Sequence, residues 1–232
     1  TLHPLLEDGC QGDEKPEPYK KVAFIGISNW ALDPAKMNRG ILVQREVPDE
    51  AELLESAKGI CASREDVFQR IKLLLPQLAD AYKAVFGATQ QKREFFGLRD
   101  FYSLVKMVYA FAAKQHRPLC WHQLEHSVLR NFGGLDTVDP VEVFQENITV
   151  IVKREERHED DPINTTAGLI QAALFGDGTD SESRYLLLLT ENYGALGILQ
   201  QLLGQRRVIT IFGSSFPKDQ EYTQVIALSL TL

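Results

Sequence analysis

The sequence predicts a mixed fold, α/β at both ends with an α-helical section between. Three observations carry this. Val22–Ile27 is a short apolar run containing three β-branched residues, placed behind a polar, proline-broken segment; such a run reads as a strand buried on both faces. From Pro48 to Ile148 apolar residues recur at helical spacing. Arg184–Gly213 then reads as strand, turn, helix and strand, the βαβ opening of a second sheet. The expected divisions are an α/β part over 1–46, a helical part over 47–152, a charged linker over 153–165 and a second α/β beginning over 166–232.

Residues 1–9 read as the end of an amphipathic helix carrying Leu2, Leu5 and Leu6 and closed by Gly9. A polar loop, Gln11–Pro18, leads to the first strand. That strand ends at Ser28-Asn29, and the chain turns through Trp30–Pro34, makes one helical turn over Ala35, Lys36 and Met37, and reaches Asn38-Arg39-Gly40. Pro48-Asp49-Glu50 opens the next helix, because proline and acids are favoured in a first turn; it continues through Leu53, Leu54, Ala57 and Ile60. Ser63-Arg64-Glu65-Asp66 resembles a capping signal ahead of a long helix through Val67, Ile71, Leu74, Leu78, Tyr82 and Val85, which Pro76 is expected to kink. An amphipathic helix follows through Leu98, Phe101, Leu104, Val105, Val108 and Phe111, and shorter helices over Pro118–Asn131 and Pro140–Ile148. Lys153–Asp161 is a run of mixed charge that reads as a solvated linker. Asn164-Thr165-Thr166 is placed to cap a helix over Ala167–Phe175. Strands over 184–189 and 207–213 flank a helix over Ala195–Leu203.

The 232 residues are 44% hydrophobic and 25% charged with a net charge of −7, ordinary values for a globular protein. The acidic balance argues against nucleic acid as a partner, since binding its backbone needs a basic face. No apolar run approaches the roughly 18 residues that span a bilayer, and the N-terminus lacks signal-peptide character. Cys10, Cys61 and Cys120 are scattered, odd in number, and fit a reducing, cytoplasmic setting. The sequons at Asn147 and Asn164 read as chance occurrences. The chain begins at Thr1 without methionine and reads as an interior portion of something longer.

The chemistry concentrates after the first strand. In open α/β sheets, residues just past the carboxyl ends of strands face the ligand crevice, so Asn29 stands at such a rim and Arg39 follows ten residues later. An amide such as Asn29 can hold a water or a phosphate oxygen without adding charge. A guanidinium such as Arg39 is always protonated and binds phosphate through two parallel bonds. Phosphoryl transfer needs little more than positioning of this kind and stabilisation of spread negative charge.

The segment FIGISNWALDPAKMNRGI, a strand followed by Ser-Asn, Leu-Asp-Pro-Ala and Arg-Gly, resembles the sensor 1 strand and arginine-finger segment of AAA+ ATPases. Its wording is similar to that of the giant RING-finger E3 ubiquitin ligases whose centre is a dynein-like row of AAA+ units. The resemblance implies an AAA+ fragment: the end of one α/β ATPase subdomain, a helical lid, and the βαβ start of the next unit. It gives Asn29 and Arg39 the catalytic roles, with Arg39 acting on nucleotide held by a neighbouring unit. It makes Arg99, in Gly97-Leu98-Arg99-Asp100, a sensor 2 arginine that touches nucleotide phosphate beside Asn29. A helix N-terminus already favours anions, which suits that role; an exposed arginine paired with Asp100 or Glu94 is the plainer alternative.

The implied cofactor is ATP with magnesium in the intact protein, and zinc is implied only in a RING region that these residues do not contain. The implied partners are adjacent AAA+ units of the same chain, plus a ubiquitin-conjugating enzyme and substrates reached through other regions. No nucleic acid and no transmembrane segment is expected. By the same alignment the Walker A lysine and Walker B acids fall before Thr1, so this stretch by itself is expected to be catalytically silent. In the following unit the turn TENYGALG has Gly194 and Gly197 but no Gly-Lys-Ser/Thr, and a phosphate loop without its lysine binds nucleotide poorly.

Two other readings stand beside this one. The chain could be a helical interaction module in which Arg39 and Arg99 make only surface pairs. His122-Gln-Leu-Glu125-His126 has the H-x-x-E-H spacing of a zinc hydrolase, with Cys120 just before it. No third ligand helix follows, however, and the same residues read as a plain amphipathic helix through Trp121, Leu124, Val128 and Leu129, so the expectation is that no metal is bound.

Overall fold

The computed structural model describes residues 18–28, 30, 32–44, 47–89, 96–134, 138–151, 158–176, 186–188, 190, 194–204 and 206. The chain divides into two compact units, Thr1–Pro48 and Asp49–Leu232.

In the first unit a single 3-10 turn, Pro18–Lys20, precedes the expected strand. The segment Lys21–Ser28 has no ladder partner among the described residues, and its side chains face solvent: Val22 is 56% exposed, Ile25 90% and Ile27 97%. The expected burial on two faces is therefore not met here. A strand takes its hydrogen bonds and its apolar cover from neighbouring strands, and no described residue supplies either. Helix α1, Pro34–Met37, forms as expected. Asp33 caps it by accepting the Lys36 amide at 3.1 Å, and Pro34 takes the first position, where its missing N–H costs nothing.

The second unit is a helical bundle. Helix α2 spans Glu50–Cys61 and opens with a complete capping box, Asp49 accepting from the Glu52 amide at 2.8 Å and Glu52 accepting in return from the Asp49 amide. Helices α3, Glu65–Ile71, and α4, Leu74–Thr89, replace the single kinked helix expected from the sequence. The break falls at Lys72-Leu73, so Pro76 lies in the first turn of α4, where its amide would have no intrahelical partner anyway. The expected cap at Ser63 is also replaced: its hydroxyl bonds the Tyr109 hydroxyl at 2.7 Å, and Arg64 starts α3 without a side-chain cap.

Helix α5 spans Leu98–Lys114, α6 Trp121–Phe132, α7 Pro140–Asn147, α8 Thr166–Phe175 and α9 Gly194–Leu203. Asp139 and Thr165 cap α7 and α8, as residues with short oxygen-bearing side chains do. The core lies where α2 to α7 meet. Its centre is aromatic: Tyr82 stands 5.1 Å from Phe101, and Phe132 stands 5.6 Å from Phe144 and 5.0 Å from Phe96, ring centre to ring centre. Gln77 ties the chain after α7 to α4, its side chain meeting the Thr149 amide at 2.9 Å and the Thr149 hydroxyl at 3.0 Å.

Of the second α/β part, only Leu186–Leu188 of the first expected strand is described; it has no ladder partner among the described residues, and Leu187 is exposed. The expected strand over 207–213 lies outside the described residues. The expected helix between them is present as α9, whose Ala195 amide is accepted by the Thr190 hydroxyl at 3.1 Å.

Two local consequences can be measured. Asp100 caps α5 by accepting the Gly97 amide at 2.7 Å, and burial raises its carboxyl above the usual aspartate range. A carboxyl raised on folding favours the folded state when protonated, so its contribution is greatest in acid and is lost as pH rises through the raised value. Asp100→Asn keeps an acceptor and removes the charge. Urea midpoints should therefore favour the natural residue more in acid than at neutral pH, and parallel pH profiles would count against this. At Gly168, in the first turn of α8, an added Cβ would stand 2.2 Å from the Ile163 carbonyl oxygen. Gly168→Ala is expected to destabilise by about 1–3 kcal/mol, read from the same midpoints.

Candidate functional site

The three residues assigned to nucleotide chemistry fare differently. Asn29 lies outside the described residues. Arg39 lies in the first unit, exposed, in the turn after α1, with Nη1 donating to the Ala35 carbonyl at 2.5 Å. Arg99 lies in the second unit, exposed in the first turn of α5, next to the Asp100 cap. Both guanidinium groups are on the surface, where a long cation can meet an incoming phosphate. Its neighbour Asp100 is committed to the Gly97 amide.

The H-x-x-E-H segment forms the start and middle of α6, but its residues do not converge. His126 is buried, its Nδ1 3.0 Å from the Asn164 side-chain oxygen, with Phe111 standing edge-on to its ring. The Asn164 amide nitrogen donates to the Glu125 carboxylate at 2.9 Å and to the His122 carbonyl at 3.0 Å. Asn164 thus fastens the start of α8 onto α6 and occupies the groups that a hydrolase would need free.

His122 turns elsewhere. An imidazole nitrogen, the Cys120 sulfur and an Asp161 carboxylate oxygen lie within 4.8 Å of one another. Cys120 and Asp161 are buried, and His122 Nδ1 is buried without a hydrogen-bond partner among the described residues. Asp161 closes the charged run Lys153–Asp161, read from sequence as solvated, yet its side chain is fully covered. Arg117 and Gln123 donate to its Oδ1, and the His158 amide donates to its Oδ2 at 2.8 Å. Burial alone would raise this carboxyl; Arg117 and the His158 amide hold it below the usual range. Burial pushes the Cys120 thiol up, and that of Cys61 up to about 11. Sequence reasoning noted Cys120 and His122 but had no signal for Asp161, 39 residues beyond His122.

Residues 1–52 match one AAA-domain family and residues 178–231 match another. In sequence the two matched stretches lie towards the two ends of the chain, with most of the helical section between them. Both families are described as RNF213 AAA domains. Across 97% of its length the chain is 51% identical to the E3 ubiquitin-protein ligase RNF213 of Homo sapiens, and 51% identical to that of Mus musculus. It is 44% identical to rnf213-beta of Danio rerio over the same share. The chain spans about 4% of the length of each of these relatives. No solved structure matches it. Among the described residues, no helix is long and apolar enough to cross a membrane.

Proposed function

We propose that this chain is a segment of the AAA+ motor of a giant E3 ubiquitin-protein ligase. It supplies the sensor 1 and arginine-finger segment of one unit, the helical lid that follows, and the opening of a next, degenerate unit. What carries the reading is the order of matches: two distinct RNF213 AAA-domain families at the two ends, with a capped helical bundle between them. In this reading Val22–Ile27 becomes a strand once sheet neighbours flank it, which accounts for an apolar run that stands exposed here. Asn29 then orients water or phosphate at the sheet rim, and Arg39 reaches nucleotide bound by the neighbouring unit. Arg99, beside the free amides at the start of α5, meets the phosphates of its own unit.

ATP with magnesium is bound by the intact protein through Walker elements outside these residues, so the chain alone hydrolyses nothing. Ubiquitin transfer, its conjugating enzyme and its substrates belong to other regions of that protein, acting in the cytoplasm.

The test is Arg99→Ala in the intact protein, with nucleotide affinity measured by titration of a fluorescent ATP analogue. Losing a charge-assisted phosphate contact, worth about 1.5–3 kcal/mol, should weaken binding roughly 10–150-fold. Unaltered affinity would remove Arg99 from the nucleotide site.

A further inference from the structure

The geometry points to a zinc site formed by Cys120, His122 and Asp161, joining the start of α6 to the segment after α7. It departs from the sequence expectation that this chain holds no metal, and it does not depend on the motor reading. Sulfur, imidazole nitrogen and carboxylate oxygen are the three donor types that zinc accepts, and softer or harder ions match this mixture less well. The three donor atoms already lie within 4.8 Å of one another, so little rearrangement is needed to bring them around one ion.

The surroundings favour an ion as well. His122 Nδ1 is buried and has no partner among the described residues, an arrangement that costs free energy unless something fills it. A carboxylate has about four lone-pair positions. Arg117 and Gln123 occupy two on Asp161 Oδ1, the His158 amide one on Oδ2, and the Cys120 thiol bonds this carboxylate as well; loss of that thiol proton vacates the position a metal would take. Those same three donors fix the carboxylate's orientation, as outer partners of zinc ligands do. Arg117 also offsets part of the negative charge that a thiolate and a carboxylate bring together. On binding, the Cys120 thiol gives its proton to solvent and the sulfur takes the metal in its place. With three protein donors, a water completes the tetrahedron. The product is a clip that holds the 158–162 segment against α6.

The experiment titrates zinc chloride into the metal-free 232-residue chain against a chromophoric chelator, with cobalt(II) in a parallel series. A single equivalent should bind, and the cobalt form should show thiolate-to-metal charge-transfer absorption. Cys120→Ser and His122→Ala should each weaken binding by more than the roughly 10–100-fold that loss of an outer-shell partner costs, while Cys10→Ser leaves it unchanged. Helical circular dichroism is recorded for every variant. Because Cys120 is fully buried, the partly exposed His122 decides the matter if Cys120→Ser unfolds. Absence of zinc uptake, a cobalt form without the thiolate band, or full affinity in folded His122→Ala overturns the assignment.

Discussion

Arg39→Ala in the intact protein is expected to cut ATP turnover by roughly 10³–10⁵-fold, the range over which an arginine finger acts. Nucleotide binding should stay near its original strength, because a finger stabilises charge that develops only in the transition state. Arg39 is suited to this by position: it follows a capped turn of helix and stands at the surface. Its contact to the Ala35 carbonyl is local, four residues back, and is broken cheaply when a stronger acceptor arrives. Arg39→Lys should rescue little, since an ammonium cannot reproduce the planar, two-pronged contact with phosphate oxygens. Steady-state ATP hydrolysis and equilibrium nucleotide binding, measured on the same preparations, separate the two effects. Turnover at the original rate would take the finger role away from this residue.

Phe132→Ala should strongly destabilise the helical bundle. Its ring is fully buried and sits among Tyr82, Phe96 and Phe144. Removing a ring of this size from a packed core costs about 3–5 kcal/mol, against a total stability of about 5–15 kcal/mol for a domain. Leu73→Ala serves as the comparison, because Leu73 is 68% exposed between α3 and α4 and should change stability by no more than about 0.5 kcal/mol. Chemical denaturation followed by circular dichroism reads both. Equal midpoints for the two variants would mean that the aromatic centre does not hold the bundle together.

Most of the helical section was legible because its signals are local. Pro48-Asp49-Glu50 announced α2, although the helix begins only at Glu50 with Asp49 as its cap, and Pro140 and Thr165 marked the starts of α7 and α8. Pro76 was legible as a disturbance but not as to where it would act. The chain breaks three to four residues earlier, at Lys72-Leu73, and so places the proline where its missing amide does no harm. Ser63 misled for a similar reason: a serine before two acids has the form of a cap, and only the folded bundle brings the Tyr109 hydroxyl within reach of it. The run ending at Asp161 looked solvated because charge density is a local property. His158–Asp160 are indeed exposed, and only Asp161 is buried, through Arg117 and Gln123, which lie 44 and 38 residues away in sequence. The apolar run Val22–Ile27 shows the opposite case. Its composition demands cover that no described residue provides.

The most direct measurement is an electron cryomicroscopy structure of the intact protein with magnesium and a non-hydrolysable ATP analogue. The motor account predicts Val22–Ile27 paired within a parallel sheet, Asn29 at its carboxyl rim, and the Arg39 guanidinium hydrogen-bonded to the γ-phosphate of the neighbouring unit's nucleotide. Val22–Ile27 without strand partners, or Arg39 turned away from every nucleotide, would contradict it.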